Sequence, residues 1–97
     1  MNAINAVHVK DIDSCVTVTV PITKGDLVSF HCSDGAVESV MANEDIPVYH
    51  KIAVASVSKD GFVYKYGEKI GIALTDIVPG DYVHVHNIKP VGFVEGA

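Results

Sequence analysis

Residues 15–28 read Cys15-Val16-Thr17-Val18-Thr19-Val20-Pro21-Ile22-Thr23-Lys24-Gly25-Asp26-Leu27-Val28. The first six residues alternate strictly, which is the period of a half-buried β-strand. Val16, Val18 and Val20 face one way, and Cys15, Thr17 and Thr19 the other. Pro21 has no N–H to give to a ladder, so the strand stops there or lies at an edge. Lys24-Gly25-Asp26 supplies a turn, and residues 27–32 read as the next strand.

Outward from this run the same signals continue. Residues 37–41, 52–57, 62–64, 69–74 and 82–88 read as strands, separated by Lys59-Asp60-Gly61, Tyr66-Gly67-Glu68 and Val78-Pro79-Gly80-Asp81 turns. Residues 43–47 read as an irregular connector or one helical turn. The strand–Ile–glycine turn–Val pattern of residues 18–28 returns at 72–83. It returns again at 52–63, with one extra residue before the glycine. Such units cannot bury their own apolar faces, and their spacing is too irregular for a solenoid. No long stretch has a 3.6-residue period. The expectation is one all-β domain over residues 1–97, built of bent hairpins packed on each other.

Composition narrows the function. The net charge is −5, and all seven cationic side chains are lysines. A nucleic-acid binder needs a basic stripe, commonly with arginine, so that class is excluded. Without arginine, this chain offers no guanidinium fork for bidentate recognition of a carboxylate. No apolar run approaches a membrane span, and no basic-then-apolar leader opens the chain; the expected compartment is the cytoplasm. Cys15 and Cys32 lack metal-type or disulfide-framework spacing and read as reduced thiols.

The sharpest chemical feature is His84-Val85-His86. On a strand, residues i and i+2 share a face about 6.6–6.8 Å apart. Two imidazoles so placed can lean toward one ion, while Val83 and Val85 enter the core; a solvated edge pair is the plainer alternative. His50 sits beside Lys51 near a proline-containing bend. In Tyr64-Lys65-Tyr66-Gly67, Gly67 allows a positive-φ turn, leaving backbone N–H groups and Lys65 free to meet an anion; a basic hairpin turn with half-buried tyrosines is the plainer alternative. Asp76 and Asp81 read as turn formers. His8 and His31 read as surface residues.

Three segments carry a family resemblance: Tyr49-His50-Lys51-Ile52-Ala53, then Tyr64-Lys65-Tyr66-Gly67-Glu68-Lys69-Ile70-Gly71-Ile72-Ala73, then residues 76–87, ending His84-Val85-His86-Asn87. They resemble the SAF module of altronate and galactarate dehydratases over residues 11–90 or so. That family implies a β-clip fold, and in most of its members the module continues into a much larger catalytic domain. It implies an active-site role for His50 and His86 as acid–base groups. It also implies Fe2+ or Mn2+ held by His84 and His86. Lys51, Lys65, Tyr66, Gly67 and Asn87 become candidates for holding a sugar-acid substrate.

Elimination of water from such an acid needs a base for the α proton, an acid for the leaving hydroxide, and a cation for the developing enediolate. This chain offers His and Lys groups without a full set, so it is expected to be inactive alone and to work with a large catalytic subunit. Self-association is a further possibility. Two other functions fit the same resemblance: the small subunit of a lyase such as sulfolactate sulfo-lyase, and a non-catalytic sugar-binding SAF module.

Overall fold

A computed structural model describes residues 4–90. Nine strands make three antiparallel sheets, and no helix occurs among the described residues. The central sheet has the order β1-β2-β5-β8, from β1 (Ala6–Val7), β2 (Cys15–Val18), β5 (Lys51–Ala53) and β8 (Tyr82–Val83). β3 (Leu27–His31) pairs with β4 (Val37–Met41). β6 (Phe62–Lys65), β7 (Glu68–Ala73) and β9 (Ile88–Pro90) form the third sheet. The all-β expectation holds, and the strand expected at 37–41 is β4.

A repeated backbone unit underlies these sheets, and it occurs four times. Strands end at Val18, Ala53 and Ala73, and at Met41 just before Ala42; four residues after Val18, Ala42, Ala53 and Ala73, the residues Ile22, Ile46, Val57 and Ile77 make isolated bridges. Three residues further on, the chain turns at a positive φ: Gly25 at 93°, Tyr49 at 67°, Asp60 at 72° and Gly80 at 99°. The spacing is identical in all four. The 52–63 copy therefore has no extra residue. Its left-handed position is Asp60 instead of Gly61, because the short polar side chain of Asp also tolerates that region. The fourth copy, through Ile46, lacks glycine altogether, and so escapes a pattern keyed on glycine.

The copies close in pairs. Ile22 and Ile46 exchange backbone bonds of 2.9 and 2.8 Å, as do Val57 and Ile77. In each pair the turn of one copy caps the strand end of the other. Gly25 N–H donates to Ala42 O and Tyr49 N–H to Val18 O; Asp60 N–H donates to Ala73 O and Gly80 N–H to Ala53 O, all at 2.8 Å. Reciprocal bonding of this kind gives each pair a local two-fold relation.

Each pair encloses its own core. The first gathers Val16, Val18, Ile22, Val28, Phe30, Ile46 and Ile52; the second gathers Cys15, Ala53, Val57, Val63, Ala73, Ile77 and Val83. The central sheet divides them. Alternation along β2 sends Val16 and Val18 to one core and Cys15 to the other, as its pattern requires. Val20, beyond the strand end, is exposed.

The strand expected over 82–88 is overturned. β8 stops at Val83, and residues 84–87 form a turn before β9. The cause is Asn87. Its Oδ1 accepts from His84 N–H at 2.9 Å and its Nδ2 donates to Tyr82 O at 2.7 Å, while Asn87 and Ile88 N–H both reach His84 O. The side chain thus offers the backbone an alternative to the ladder. Val85, expected in the core, is 71% exposed at the tip of this turn.

Candidate functional site

The site is built where the two pairs meet. Asn43 N–H donates to Gly80 O at 2.9 Å, and its Nδ2 donates to Pro79 O and to Asp81 Oδ1. Gly80 is required here by space as well as by φ, since a Cβ would lie 2.3 Å from Met41 O. One residue further along, Glu44 Oε2 accepts from Tyr82 N–H at 3.0 Å. Contacts across the seam therefore fix β8, the outer strand of the central sheet.

Tyr82 carries the cluster. Its ring is stacked on His84 with centroids 5.3 Å apart and planes 10° from parallel, and lies 5.5 Å from His86 and 5.7 Å from His50. His50 and His84 are 5.1 Å apart. Tyr82 Oη and His50 Nδ1 share a hydrogen bond at 2.5 Å. With the phenol as donor, His50 carries its own proton on Nε2, the nitrogen left for other partners. His50 and Tyr82 are half-buried, whereas His84 and His86 are exposed. Three imidazoles and a phenol thus share one patch, and they can take up, hold or release protons there.

Sequence reasoning placed His84 and His86 together for the wrong reason. They do not share a strand face; they lie in the Asn87 turn, and Tyr82 is what joins them. Tyr82 itself was missed as a site residue, although its place two residues before His84 was a usable signal. Asn87, expected to touch substrate, is buried and has both side-chain functions spent on the turn. Its role here is to aim His84.

The lysines lie elsewhere. Lys51 stands opposite Val83 and Ile52 opposite Tyr82, so alternation sends Lys51 to the other face of the sheet. Lys65 is buried at 1% exposure, with the Tyr66 ring 3.7 Å from its ammonium and no hydrogen-bond partner among the described residues. The Tyr66–Gly67 turn does bind an anion as expected of its N–H groups, but the anion is internal. Tyr66 N–H donates to Asp13 Oδ2 at 3.0 Å and Gly67 N–H to Asp13 Oδ1 at 2.8 Å. Positive φ at both residues, 56° and 77°, makes the turn. Lys65, Tyr66 and Gly67 are thereby committed to the fold in this conformation.

Four other titratable groups have structural roles. Asp76 accepts from Lys59 N–H and Asp81 from Val78 N–H, as turn formers do. His8 packs edge-on against Phe30, 5.2 Å between centroids, instead of standing free on the surface. Burial pushes the Cys15 thiol up to about 12, against the pull of Lys51 and Lys65, which leaves it protonated and unreactive.

Among the described residues no three His, Cys, Asp or Glu side chains are arranged to hold a metal. Of the cluster's imidazoles, His84 and His86 make no side-chain hydrogen bond among the described residues, whereas His50 is engaged by Tyr82.

Comparison with known proteins covers nearly the same span. Residues 4–90 match the model of the altronate/galactarate dehydratase SAF domain. Altronate dehydratase of Bacillus subtilis is 43% identical over 51 residues, 53% of this chain but 10% of that protein. Altronate dehydratase of Escherichia coli is 40% identical over 52 residues, again 10% of its length. The (2R)-sulfolactate sulfo-lyase subunit alpha of Paracoccus pantotrophus is 39% identical over 57 residues, 59% of this chain and 85% of that subunit. The chain thus spans about a tenth of the altronate dehydratases it matches.

Proposed function

Because the chain belongs to the altronate/galactarate dehydratase SAF-domain family, we propose that it is the small module of a hydro-lyase that removes water from a sugar-acid carboxylate. It acts at a site shared with a large catalytic domain or subunit. The observation that carries this reading is the His50–Tyr82–His84–His86 patch, which lies inside the family-matched span and brings proton-transfer groups together at the seam. The chain contributes imidazoles and a phenol, and no arginine to hold the substrate carboxylate. The large partner supplies that cation and the remaining catalytic groups.

In this reading His50 is an acid–base group, with Tyr82 holding its Nδ1 and leaving Nε2 to face the reaction. His86, exposed beside Tyr82, is the second proton-transfer candidate. His84, exposed and without a side-chain hydrogen bond among the described residues, is the residue that would hold a divalent ion, Fe2+ or Mn2+, with further ligands from the partner. Such an ion, when bound, stabilises the negative charge that develops on the substrate carboxylate as the α proton leaves. The chain on its own is expected to be inactive, and the compartment expected for such a lyase is the cytoplasm.

A lyase that expels sulfite from a hydroxy acid is the second reading. It is favoured by the sulfo-lyase subunit, which is itself a short chain covered over most of its length. Reconstitution with the large subunit decides between them: altronate or galactarate turnover supports the first, and sulfite release from sulfolactate the second. His84→Ala should lower turnover by about a hundredfold while leaving the unfolding midpoint unchanged, because its side chain is exposed. Normal turnover by His50→Ala, His84→Ala and His86→Ala alike would remove the patch from the mechanism.

A further inference from the structure

Four equivalent turns place a residue at positive φ, and three of them use Gly25, Asp60 and Gly80. Glycine has no Cβ to clash there, and aspartate is among the side chains that tolerate the region. The fourth uses Tyr49, a bulky aromatic at φ 67°. Among the described residues no ring contact repays this choice. Among the described residues the Tyr49 ring makes no stacking, cation–π or side-chain hydrogen-bonding contact, and it is 72% exposed. Tyr66, the other aromatic at positive φ, differs: its ring covers the ammonium of Lys65.

The position of Tyr49 gives the choice a meaning. It directly precedes His50, and Val85, 71% exposed, projects between His84 and His86. Both segments that carry the imidazole patch thus also carry an exposed apolar side chain. From Tyr82 a mainly apolar groove of about 410 Å³ continues over Pro21, Ile22, Ile46 and Pro47, with Thr23 and Asp45 also lining it. Exposed apolar side chains are what a partner surface buries, and tyrosine is among the residues that dominate binding energy at interfaces.

We infer that Tyr49 and Val85 are the anchors on which the large catalytic part of the lyase seats, closing over the imidazole patch and excluding water from it. The inference rests on the dehydratase reading. The occupant follows from the relatives: altronate dehydratases are about ten times the matched length, so a large body of chain accompanies this module in them. Among the described residues no three side chains are arranged to hold a metal, and the chain has no arginine, so a partner would bring both.

The test titrates the chain, wild type or Tyr49→Asn, onto Bacillus subtilis altronate dehydratase from which the SAF module has been deleted. Asparagine accepts the left-handed conformation but removes the aromatic ring. The expected result is tenfold or more weaker binding, on the order of a hot-spot loss, together with an unchanged or raised unfolding midpoint of the chain alone. That pairing of signs is not produced by a side chain serving the fold. Equal binding by wild type and Tyr49→Asn overturns the anchor while leaving the dehydratase reading intact. No binding by wild type overturns both. If Tyr49→Asn instead converts a dimer of the chain to monomer, the face belongs to a second copy and the inference is wrong.

Discussion

The turns at Gly80–Asp81 and Tyr49–His50 are the same backbone put to opposite uses. Both lie three residues past a bridging isoleucine, both hold a positive φ, and both cap the strand end of a partner copy through a 2.8 Å bond. At the first, Gly80 is buried against Met41 O, and Asp81 spends its carboxylate on Val78 N–H and Asn43 Nδ2. At the second, Tyr49 stands in solvent, and His50 gives its ring to Tyr82 and His84. A repeat in which reciprocal backbone bonds carry the fold leaves the side chains of any one copy free to differ. Three turns kept residues suited to the conformation, while one exchanged them for an aromatic and an imidazole.

That contrast is broken most severely at the seam. Gly80→Ala places a Cβ 2.3 Å from a backbone oxygen as well as straining φ, so stability should fall by about 3 kcal/mol or more in urea titrations. Gly25→Ala is the control, because nothing lies within 4 Å of its Cβ. Only the φ penalty of about 1 kcal/mol remains there. Equal losses at the two sites would mean that crowding at the seam does not distinguish them.

Between these two values lies Asn87→Ala. It removes both side-chain bonds that shape residues 84–87, at a cost of about 2 kcal/mol. It should also free His84 from Tyr82, visible as a loss of the ring-current shift on the His84 imidazole. The smallest effect sharpens the same point. Val85→Ala should change stability by about 0.5 kcal/mol or less, since the side chain is 71% exposed. A loss of 2 kcal/mol there would restore the strand that Asn87 replaces.

Strand content was legible where one face is buried. The alternation of residues 15–18 is enforced by two cores on opposite sides of β2, and residues 37–41 pair along their full length with β3. The ends were less legible. Residues 82–88 look continuous because valine and histidine alternate there, and nothing in that alternation reports that the amide of Asn87 will bond back to Tyr82 and His84. The anion-binding turn at Tyr66–Gly67 was legible as a turn. That Asp13, more than fifty positions earlier, fills it was not.

The sequence by itself determined an all-β domain of repeated bends, its acidic surface, its family, and the histidines that lie in the candidate site. These follow from local periodicity, turn chemistry and composition, which act over a few residues. Only the tertiary structure decided that the copies number four and close in pairs. Only it decided that Tyr82 gathers His50, His84 and His86, that Lys51 turns to the opposite face, and that Lys65 lies buried under Tyr66. Those outcomes depend on reciprocal backbone bonds and ring contacts between segments up to thirty residues apart or more, a range over which no local period carries information.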